Sequence, residues 1–178
     1  TINQEENHLS SQDQFELLDG VGEAICQINA VGILAVIVTN QPVIARGELE
    51  ESELKVIHNK MDTLLGSQGA YIDRLYYCPH HTDSGFEGEV EALKFDCDCR
   101  KPKIGLFTQA KKDLNIVLEK SWVVGDSTRD ILAAQNAGMK SILVETGHAG
   151  KDCSFEVNPD FIAKDLNEAV KLILKEVR

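Results

Sequence analysis

The sequence is poor in basic residues and in long apolar segments. Its 178 residues include 18 Lys and Arg against 29 Asp and Glu, so the formal net charge is -11 at pH 7. Nucleic acids and anionic membrane surfaces bind to basic faces, and this charge argues against both as partners. No apolar run approaches the roughly 20 residues that a membrane helix needs. The first residues also lack the basic-then-apolar pattern of a secretory signal, so the expected compartment is the cytoplasm.

The apolar residues that are present form short continuous runs that alternate with amphipathic stretches, the pattern of an α/β fold. With 43% hydrophobic residues, the chain is expected to form one domain over residues 1–178. The run ILAVIVT is continuous and β-branched, which predicts a strand covered on both faces. The predicted strands are Ile33–Thr39, Tyr71–Cys78, Trp122–Asp126, Ser141–Thr146 and Asp160–Ala163. The predicted helices are Gly20–Ala30, Glu50–Leu65, Ile104–Leu114, Thr128–Ala137 and Leu166–Val177, with Gly32, Gly66 and Gly138 as expected C-terminal caps.

The stretch VVGDSTRD places a carboxylate at the end of a predicted strand. Asp126 follows Gly125 there, at the sheet edge where open α/β folds bind ligands. Asp130 could face the same spot from the first turn of the next helix. A carboxylate in this position suits Mg²⁺, which prefers one or two carboxylates together with water and phosphate oxygens. The alternative is that Asp126 or Ser127 only caps the helix that follows.

The stretch IVTNQPVIARGE ends a second predicted strand with hydrogen-bond donors. The hydroxyl of Thr39 and the amides of Asn40 and Gln41 are expected at the same sheet edge, where they could bind a phosphoryl oxygen. Arg46 follows in a loop that could reach over a substrate. The alternative is an ordinary capped turn between a strand and a helix.

Two cations stand together in the stretch CDCRKPK. Lys101 lies between Arg100 and Pro102, ahead of a predicted helix. Lysine offers a compact charge for a phosphate, whereas arginine offers a planar fork for a phosphate or a sugar hydroxyl. The alternative is a solvated basic loop, which does not explain why both cations follow directly on Cys97 and Cys99.

Three cysteines and a histidine have the composition of a zinc site. Cys78, His80, Cys97 and Cys99 form a Cys₃His set that matches tetrahedral Zn²⁺ and would hold residues 78–103 as a zinc-binding loop. His81 is the rival of His80 as the fourth ligand. Because protein atoms fill all four positions, such a zinc would be structural. Buried free thiols and a disulfide are the alternatives.

Taken in order, TNQPVIARGE, CPHH, CDCRKPK and VVGDSTRD resemble the haloacid dehalogenase superfamily of phosphatases. More narrowly, they resemble its zinc-containing branch, which holds D-glycero-D-manno-heptose 1,7-bisphosphate phosphatases and histidinol phosphatases. The resemblance covers Thr1 to about Gly147. It implies a doubly wound, Rossmann-like and mostly parallel sheet with helices on both faces and a small zinc-bound loop.

The resemblance also implies roles for individual residues in a Mg²⁺-dependent phosphomonoesterase. Thr39 and Lys101 would stabilise the transferring phosphoryl group. Asp126 would hold Mg²⁺, and Asp130 would orient the ion without binding it directly. The residues expected around the substrate are Asn40, Gln41, Arg46, Arg100, Ser127 and the Glu5 to His8 stretch.

In that superfamily the first strand ends in Asp-x-Asp-Gly-Thr. The first Asp is the nucleophile that forms an aspartyl-phosphate, and the second is the general acid and base. The opening residues TIN resemble the continuation of this pattern, which would place both Asp residues before Thr1. We therefore expect the central strand, between Ile33–Thr39 and Trp122–Asp126, to be missing and the chain by itself to have no turnover.

Three functions remain open at this level. The loop after TNQ, with Pro42 and Val43, and the acidic His80 to Phe95 segment resemble the heptose enzymes linked to sugar nucleotidyltransferases. This favours hydrolysis of the 7-phosphate of the heptose bisphosphate over hydrolysis of histidinol phosphate. The third possibility is a zinc-stabilised, non-catalytic module that binds a phosphosugar or a partner enzyme.

Overall fold

A computed structural model describes residues 1–4 and 12–177 of the chain. The candidate stretch Glu5 to His8 lies outside these residues. Within the described part, no helix has the length and apolar character needed to cross a membrane.

The strands form two parallel sheets at the positions that the sequence predicts. In the first, β1 pairs with β2, and the register begins with Val36 opposite Arg74. In the second, β4 lies between β3 and β5. The strands are β1 (Val36–Asn40), β2 (Arg74–Cys78), β3 (Trp122–Gly125), β4 (Lys140–Val144) and β5 (Phe161–Ala163).

The first two strands begin about three residues later than predicted. Ala35 is tied to Asp73 by its N–H, which donates to a carboxylate oxygen at 2.8 Å, and by its carbonyl, which accepts from the Asp73 N–H at 2.8 Å. Ladder pairing starts after this contact, with Val36 opposite Arg74, and both strands have five residues.

Five helices connect and follow the strands, close to their predicted bounds. They are α1 (Val21–Ala30), α2 (Glu51–Ser67), α3 (Gly105–Leu114), α4 (Thr128–Asn136) and α5 (Leu166–Glu176). Gly32 and Gly138 follow α1 and α4 with φ of 74° and 68°, as expected of C-terminal caps. The prediction for Gly66 is wrong: it lies inside α2, and Gly69, with φ of 75°, takes the turn beyond that helix.

The helices cover both faces of the strands, which confirms the predicted fold class. Along β1, Ile37 faces the core formed with α1, α2 and α5, whereas Val36 and Val38 face residues of α3 on the other side. Along β3, Val124 packs in the core formed with α1, α2 and α5, and Val123 packs on the opposite side with residues of α3. This alternation is the period-two pattern of a strand that is covered twice.

A groove separates the two sheets. In the described part of the chain, β1 and β3 are not hydrogen-bonded to one another. All five residues of β1 are only partly buried, although a strand covered on both faces was predicted to be fully buried. The open edge along the groove explains the difference. The groove lies between the strands that lead to Thr39 and Asp126.

Candidate active site

A cavity of about 370 Å³ opens between β1 and β3. Apolar side chains of the two strands line its inner part, and polar side chains line it where the strands end. The structure brings Thr39, Lys101 and Asp126 to this one cavity, as the sequence predicted. The other predicted site residues that line it are Asn40, Gln41, Ser127 and Asp130.

Lys101 is fixed by contacts at both ends of its side chain. Its Nζ donates to Asp130 Oδ1 at 2.6 Å and to the carbonyl of Val38 at 2.7 Å. The Asn40 side chain makes two hydrogen bonds to the Lys101 main chain: it accepts from the N–H at 2.9 Å and donates to the carbonyl at 3.1 Å. Asn40 was predicted at the substrate, but its amide group positions Lys101. The side chains of Lys101 and Asp130 are each only 13% exposed.

Thr39 and Gln41 meet at the end of β1. The Gln41 side chain lies 3.4 Å from the Thr39 hydroxyl oxygen, to which its Nε2 donates. The main-chain N–H of Gln41 donates to the carbonyl of Cys78 at 2.8 Å, so it is already engaged in joining β1 to the end of β2.

The Asp126 carboxylate is held from two sides. Its Oδ1 accepts from the hydroxyl and from the amino nitrogen of Thr1, the latter at 3.1 Å, and its Oδ2 accepts from the N–H of His148 at 3.0 Å. Burial raises the pKa of Asp126, whereas the hydrogen bonds from the Thr1 hydroxyl and the His148 N–H lower it. An ionised, partly exposed carboxylate at a sheet edge is a suitable ligand for Mg²⁺.

Two glycines allow this arrangement. A Cβ on Gly125 would lie 2.3 Å from the Cβ of Asp130, and a Cβ on Gly147 would lie 2.5 Å from Asp126 Oδ2. Gly147 also has a φ of 65°, which other residues rarely adopt. The sequence singled out Gly125 only as a strand end, and Gly147 carried no signal of its own.

Asp130 and Ser127 form the start of α4. The Ser127 hydroxyl accepts from the Arg129 N–H at 3.2 Å, and Asp130 Oδ2 accepts from the Ser127 N–H at 3.2 Å. The capping interpretation is therefore correct for Ser127. Asp130 therefore contacts both the start of α4, through the Ser127 N–H, and the ammonium group of Lys101 in the cavity.

Asp152 is a site residue that the sequence did not reveal. It accepts from the Ser127 hydroxyl at 2.8 Å, from the Thr128 N–H at 2.8 Å and from the Thr128 hydroxyl at 2.7 Å. Burial alone would raise the pKa of Asp152, but these hydrogen bonds lower it to about 2. The carboxylate is thus ionised at neutral pH, at a helix N-terminus that favours negative charge.

The arginines form a positive region next to the cavity. Arg129 lines the cavity, whereas Arg46 and Arg100, both predicted at the substrate, do not. Arg100 donates to the carbonyl of His80 at 3.1 Å. Burial, and after it the charges of Arg129 and Arg46, lower the pKa of Arg100, so the three guanidinium groups are close enough to influence one another. Arg129 stands inside the motif VVGDSTRD but was not among the predicted site residues.

Arg46 is enclosed by two rings. Its guanidinium carbon lies 4.7 Å from the centre of the Phe86 ring, and its Nη2 lies 3.1 Å from Nε2 of His81. The other ring nitrogen of His81 accepts from the Asp83 N–H at 3.1 Å. Both nitrogens of His81 are therefore directed away from the cysteines, which removes it as a rival of His80.

The four predicted zinc ligands converge. The ligand atoms of Cys78, His80, Cys97 and Cys99 all lie within 4.8 Å of one another. The sulfur–sulfur distances are 3.1 to 3.5 Å, and His80 Nδ1 lies 3.1 Å from the Cys99 sulfur. A tetrahedral zinc with bonds of about 2.3 Å places its sulfurs roughly 3.8 Å apart, so a small expansion would accommodate the ion.

The protonation of this cluster also suits a metal. Burial lowers the pKa of His80, which keeps its imidazole neutral and able to bind a cation. Burial raises the pKa of Cys78 and Cys99, so these thiols need a nearby cation to ionise. All five cysteines are free thiols, which makes the disulfide alternative wrong for this structure.

Comparisons with known proteins agree with this geometry. Residues 98–169 match the family model described as HAD-hydrolase-like. The chain is 45% identical over 148 residues to the D-glycero-beta-D-manno-heptose-1,7-bisphosphate 7-phosphatase of Pasteurella multocida, covering 83% of this chain and 78% of that protein. It is 39% identical over 149 residues to the protein of the same name from Escherichia coli K12, covering 83% of this chain and 75% of that protein.

A solved structure is also similar over nearly the whole chain. It is the D,D-heptose 1,7-bisphosphate phosphatase from B. bronchiseptica, complexed with magnesium and phosphate. The two share 31% sequence identity with a TM-score of 0.85, and the match covers 99% of this chain and 94% of that chain.

Proposed function

The chain belongs to the D-glycero-beta-D-manno-heptose-1,7-bisphosphate 7-phosphatase family of HAD-type hydrolases, and we propose that it carries the phosphatase site that removes the 7-phosphate of this sugar bisphosphate. The observation that carries the proposal is the convergence of Thr39, Lys101 and Asp126 on one cavity at the ends of parallel strands. A hydroxyl, an ammonium group and a carboxylate are what a phosphoryl group and its Mg²⁺ require.

In this site, Lys101 and Thr39 bind the phosphoryl oxygens. The bond to Asp130 holds the Lys101 ammonium group in place, and the Asn40 side chain holds its main chain, so the ammonium group needs little reorganisation as charge builds on the phosphoryl oxygens. Asp126 is the Mg²⁺ ligand. Mg²⁺, when bound, would neutralise negative charge on the phosphoryl group.

In the superfamily pattern the nucleophile is an Asp at the end of the central strand, and such a strand would lie in the groove between β1 and β3. A strand placed there would pair with the open edges of both neighbours and end beside Thr39 and Asp126. Unpaired backbone groups in a closed sheet each cost about 1 to 3 kcal/mol, so a filled groove is also the more stable arrangement. Hydrolysis then passes through an aspartyl-phosphate.

The positive region favours a bisphosphate as the substrate. Arg129 at the cavity, with Arg100 and Arg46 beyond it, provides cations for an anionic group remote from the reacting phosphoryl group. Histidinol phosphate carries an amine at its remote end, which these arginines would repel. The heptose bisphosphate carries a second phosphate there.

The remaining features concern the setting of the reaction. The Cys₃His cluster binds a structural Zn²⁺ that fixes residues 78–103 beside the arginines. Its free thiols suit the cytoplasm, where cysteines stay reduced. The product keeps the phosphate at the sugar C1 position, which is the group to which a sugar nucleotidyltransferase joins a nucleotidyl group from a nucleoside triphosphate.

Phosphate release from both candidate substrates tests the proposal. Protein translated from the complete native reading frame should release phosphate from the heptose bisphosphate in a Mg²⁺-dependent reaction, and more slowly from histidinol phosphate. Faster turnover of histidinol phosphate would overturn the sugar assignment. A protein that binds the sugar bisphosphate without hydrolysing it would support the non-catalytic module instead.

A variant of Arg129 tests the remote anion site separately. Arg129→Met should lower kcat/KM for the bisphosphate by about tenfold to a hundredfold, since a charge-assisted contact to a phosphate is lost. With p-nitrophenyl phosphate, which has no second phosphate, the same variant should behave as the parent protein. Equal losses on both substrates would contradict a remote anion site.

A further inference from the structure

The segment of residues 147–152, called the 147–152 loop below, is fastened along the end of β3 and the start of α4. The Gly150 N–H donates to the carbonyl of Asp126 at 2.8 Å. The His148 N–H donates to the Asp126 carboxylate at 3.0 Å. Beyond these, Asp152 accepts the three hydrogen bonds of Ser127 and Thr128.

Asp152 is the strongest of these attachments. Three donors within 2.8 Å hold one ionised carboxylate, and two of them belong to Thr128, which is buried. Such charge-assisted hydrogen bonds are about twice as strong as neutral ones. His148, in contrast, is exposed, and its main chain would not stay beside Asp126 by burial alone.

The position of the loop decides how the Asp126 carboxylate is oriented. The His148 N–H engages Oδ2, which leaves Oδ1 turned toward Thr1 and the cavity. A Cβ on Gly147 would lie 2.5 Å from Oδ2, so a glycine is needed here for the loop to pass this close to the carboxylate. An anchored loop thus limits the rotation of the side chain that we assign to Mg²⁺.

We propose that Asp152 is a positioning residue for the metal site: by anchoring the 147–152 loop to α4, it holds the His148 N–H in place and so orients the Asp126 carboxylate. This inference rests on the proposed function only in naming Mg²⁺ as the ion that Asp126 binds. The hydrogen-bonded partners behind a metal ligand commonly change metal affinity by about 10- to 100-fold.

The test compares Asp152 with Asp165, a second aspartate whose carboxylate accepts a main-chain hydrogen bond at the start of a helix. Asp165 accepts from the Glu168 N–H at 2.9 Å at the start of α5 and makes no contact with Asp126 among the hydrogen bonds of the described residues. Asp152→Ala and Asp165→Ala should both lower the melting temperature. In calorimetric titrations of the full chain with MgCl₂, only Asp152→Ala should weaken binding, by about tenfold. Asp152→Asn, which keeps an oxygen for the Thr128 N–H, should recover part of the affinity.

Hydrogen exchange at the His148 amide measures how firmly the 147–152 loop is held beside Asp126, and it needs no metal. The His148 amide proton should exchange several-fold faster in Asp152→Ala than in the parent protein, and should be unchanged in Asp165→Ala. Unchanged exchange at His148 would overturn the proposal, as would Mg²⁺ affinity that falls equally in both variants. Failure of the proposed function would show differently, as absent phosphatase turnover in protein translated from the complete native reading frame while exchange at His148 still depends on Asp152.

Discussion

The ion pair between Lys101 and Asp130 allows a quantitative prediction. Lys101 Nζ lies 2.6 Å from Asp130 Oδ1, and each side chain is only 13% exposed. At an effective dielectric constant of about 20, opposite charges roughly 3 Å apart attract by about 5 kcal/mol, and the loss of hydration offsets much of this. We therefore expect a net coupling energy of about 1 to 3 kcal/mol.

A double-mutant cycle measures this coupling. Lys101→Met leaves the Asp130 carboxylate without its cation, and we expect it to lower the free energy of unfolding by about 3 kcal/mol. Asp130→Asn should cost less, because Lys101 keeps the Val38 carbonyl as an acceptor. The double variant should be less destabilised than the sum of the two single variants. Urea unfolding of the four proteins gives the coupling energy directly.

A second ion pair of equal length provides the control. Lys103 Nζ lies 2.6 Å from Asp96 Oδ1, but these side chains are 41% and 78% exposed. Solvent screens this pair, so its cycle should show no coupling beyond experimental error. If the Lys101–Asp130 pair were as weakly coupled as the control, the argument that Lys101 is held rigidly in the cavity would be wrong.

Three further predictions concern the metal cluster, the cavity wall and acid stability. Cys99→Ser should reduce the zinc content from about one per chain to near zero and lower the melting temperature, whereas Cys153→Ser should do neither, as metal analysis and calorimetry can show. Gly147→Ala should cost more unfolding free energy than Gly69→Ala, since both have positive φ but only the first Cβ would meet a carboxylate oxygen, at 2.5 Å; equal costs in urea unfolding would contradict the steric argument. The pKa of Asp152 falls from 3.8 to about 2 on folding, so its stabilising effect is complete above about pH 4 and is lost as the pH falls toward 2. Unfolding measured from pH 5 to pH 2 should therefore show a smaller loss of stability in Asp152→Asn than in the parent protein, and parallel curves would contradict this.

The parts of the site that the sequence revealed share a physical reason. In a parallel sheet, residues that follow strand ends meet at one edge, so Thr39 and Asp126 could be placed together from the strand pattern alone. Close spacing likewise lets Cys78 and His80 in CPHH, and Cys97 and Cys99 in CDC, each act as a pair of metal ligands. These predictions needed only the spacing of residues close in sequence and the fact that parallel strands end at the same edge of a sheet.

The parts that the sequence did not reveal depend on contacts between distant segments. Asp152 reaches Thr128 from a loop without periodicity or a turn motif, and nothing local marks it as a helix anchor. The enclosure of Arg46 by His81 and Phe86 depends equally on how two loops pack. Asn40 is a similar case. The sequence placed it at the end of β1, but it did not show that its side chain binds the main chain of Lys101.

A structure determined with Mg²⁺ and inorganic phosphate present tests the central claim most directly. The account predicts the metal bound to Asp126, and one phosphate within hydrogen-bonding distance of both the Thr39 hydroxyl and the Lys101 ammonium group. A phosphate bound elsewhere, with the cavity between β1 and β3 empty and Lys101 still bonded only to Asp130 and the Val38 carbonyl, would contradict it.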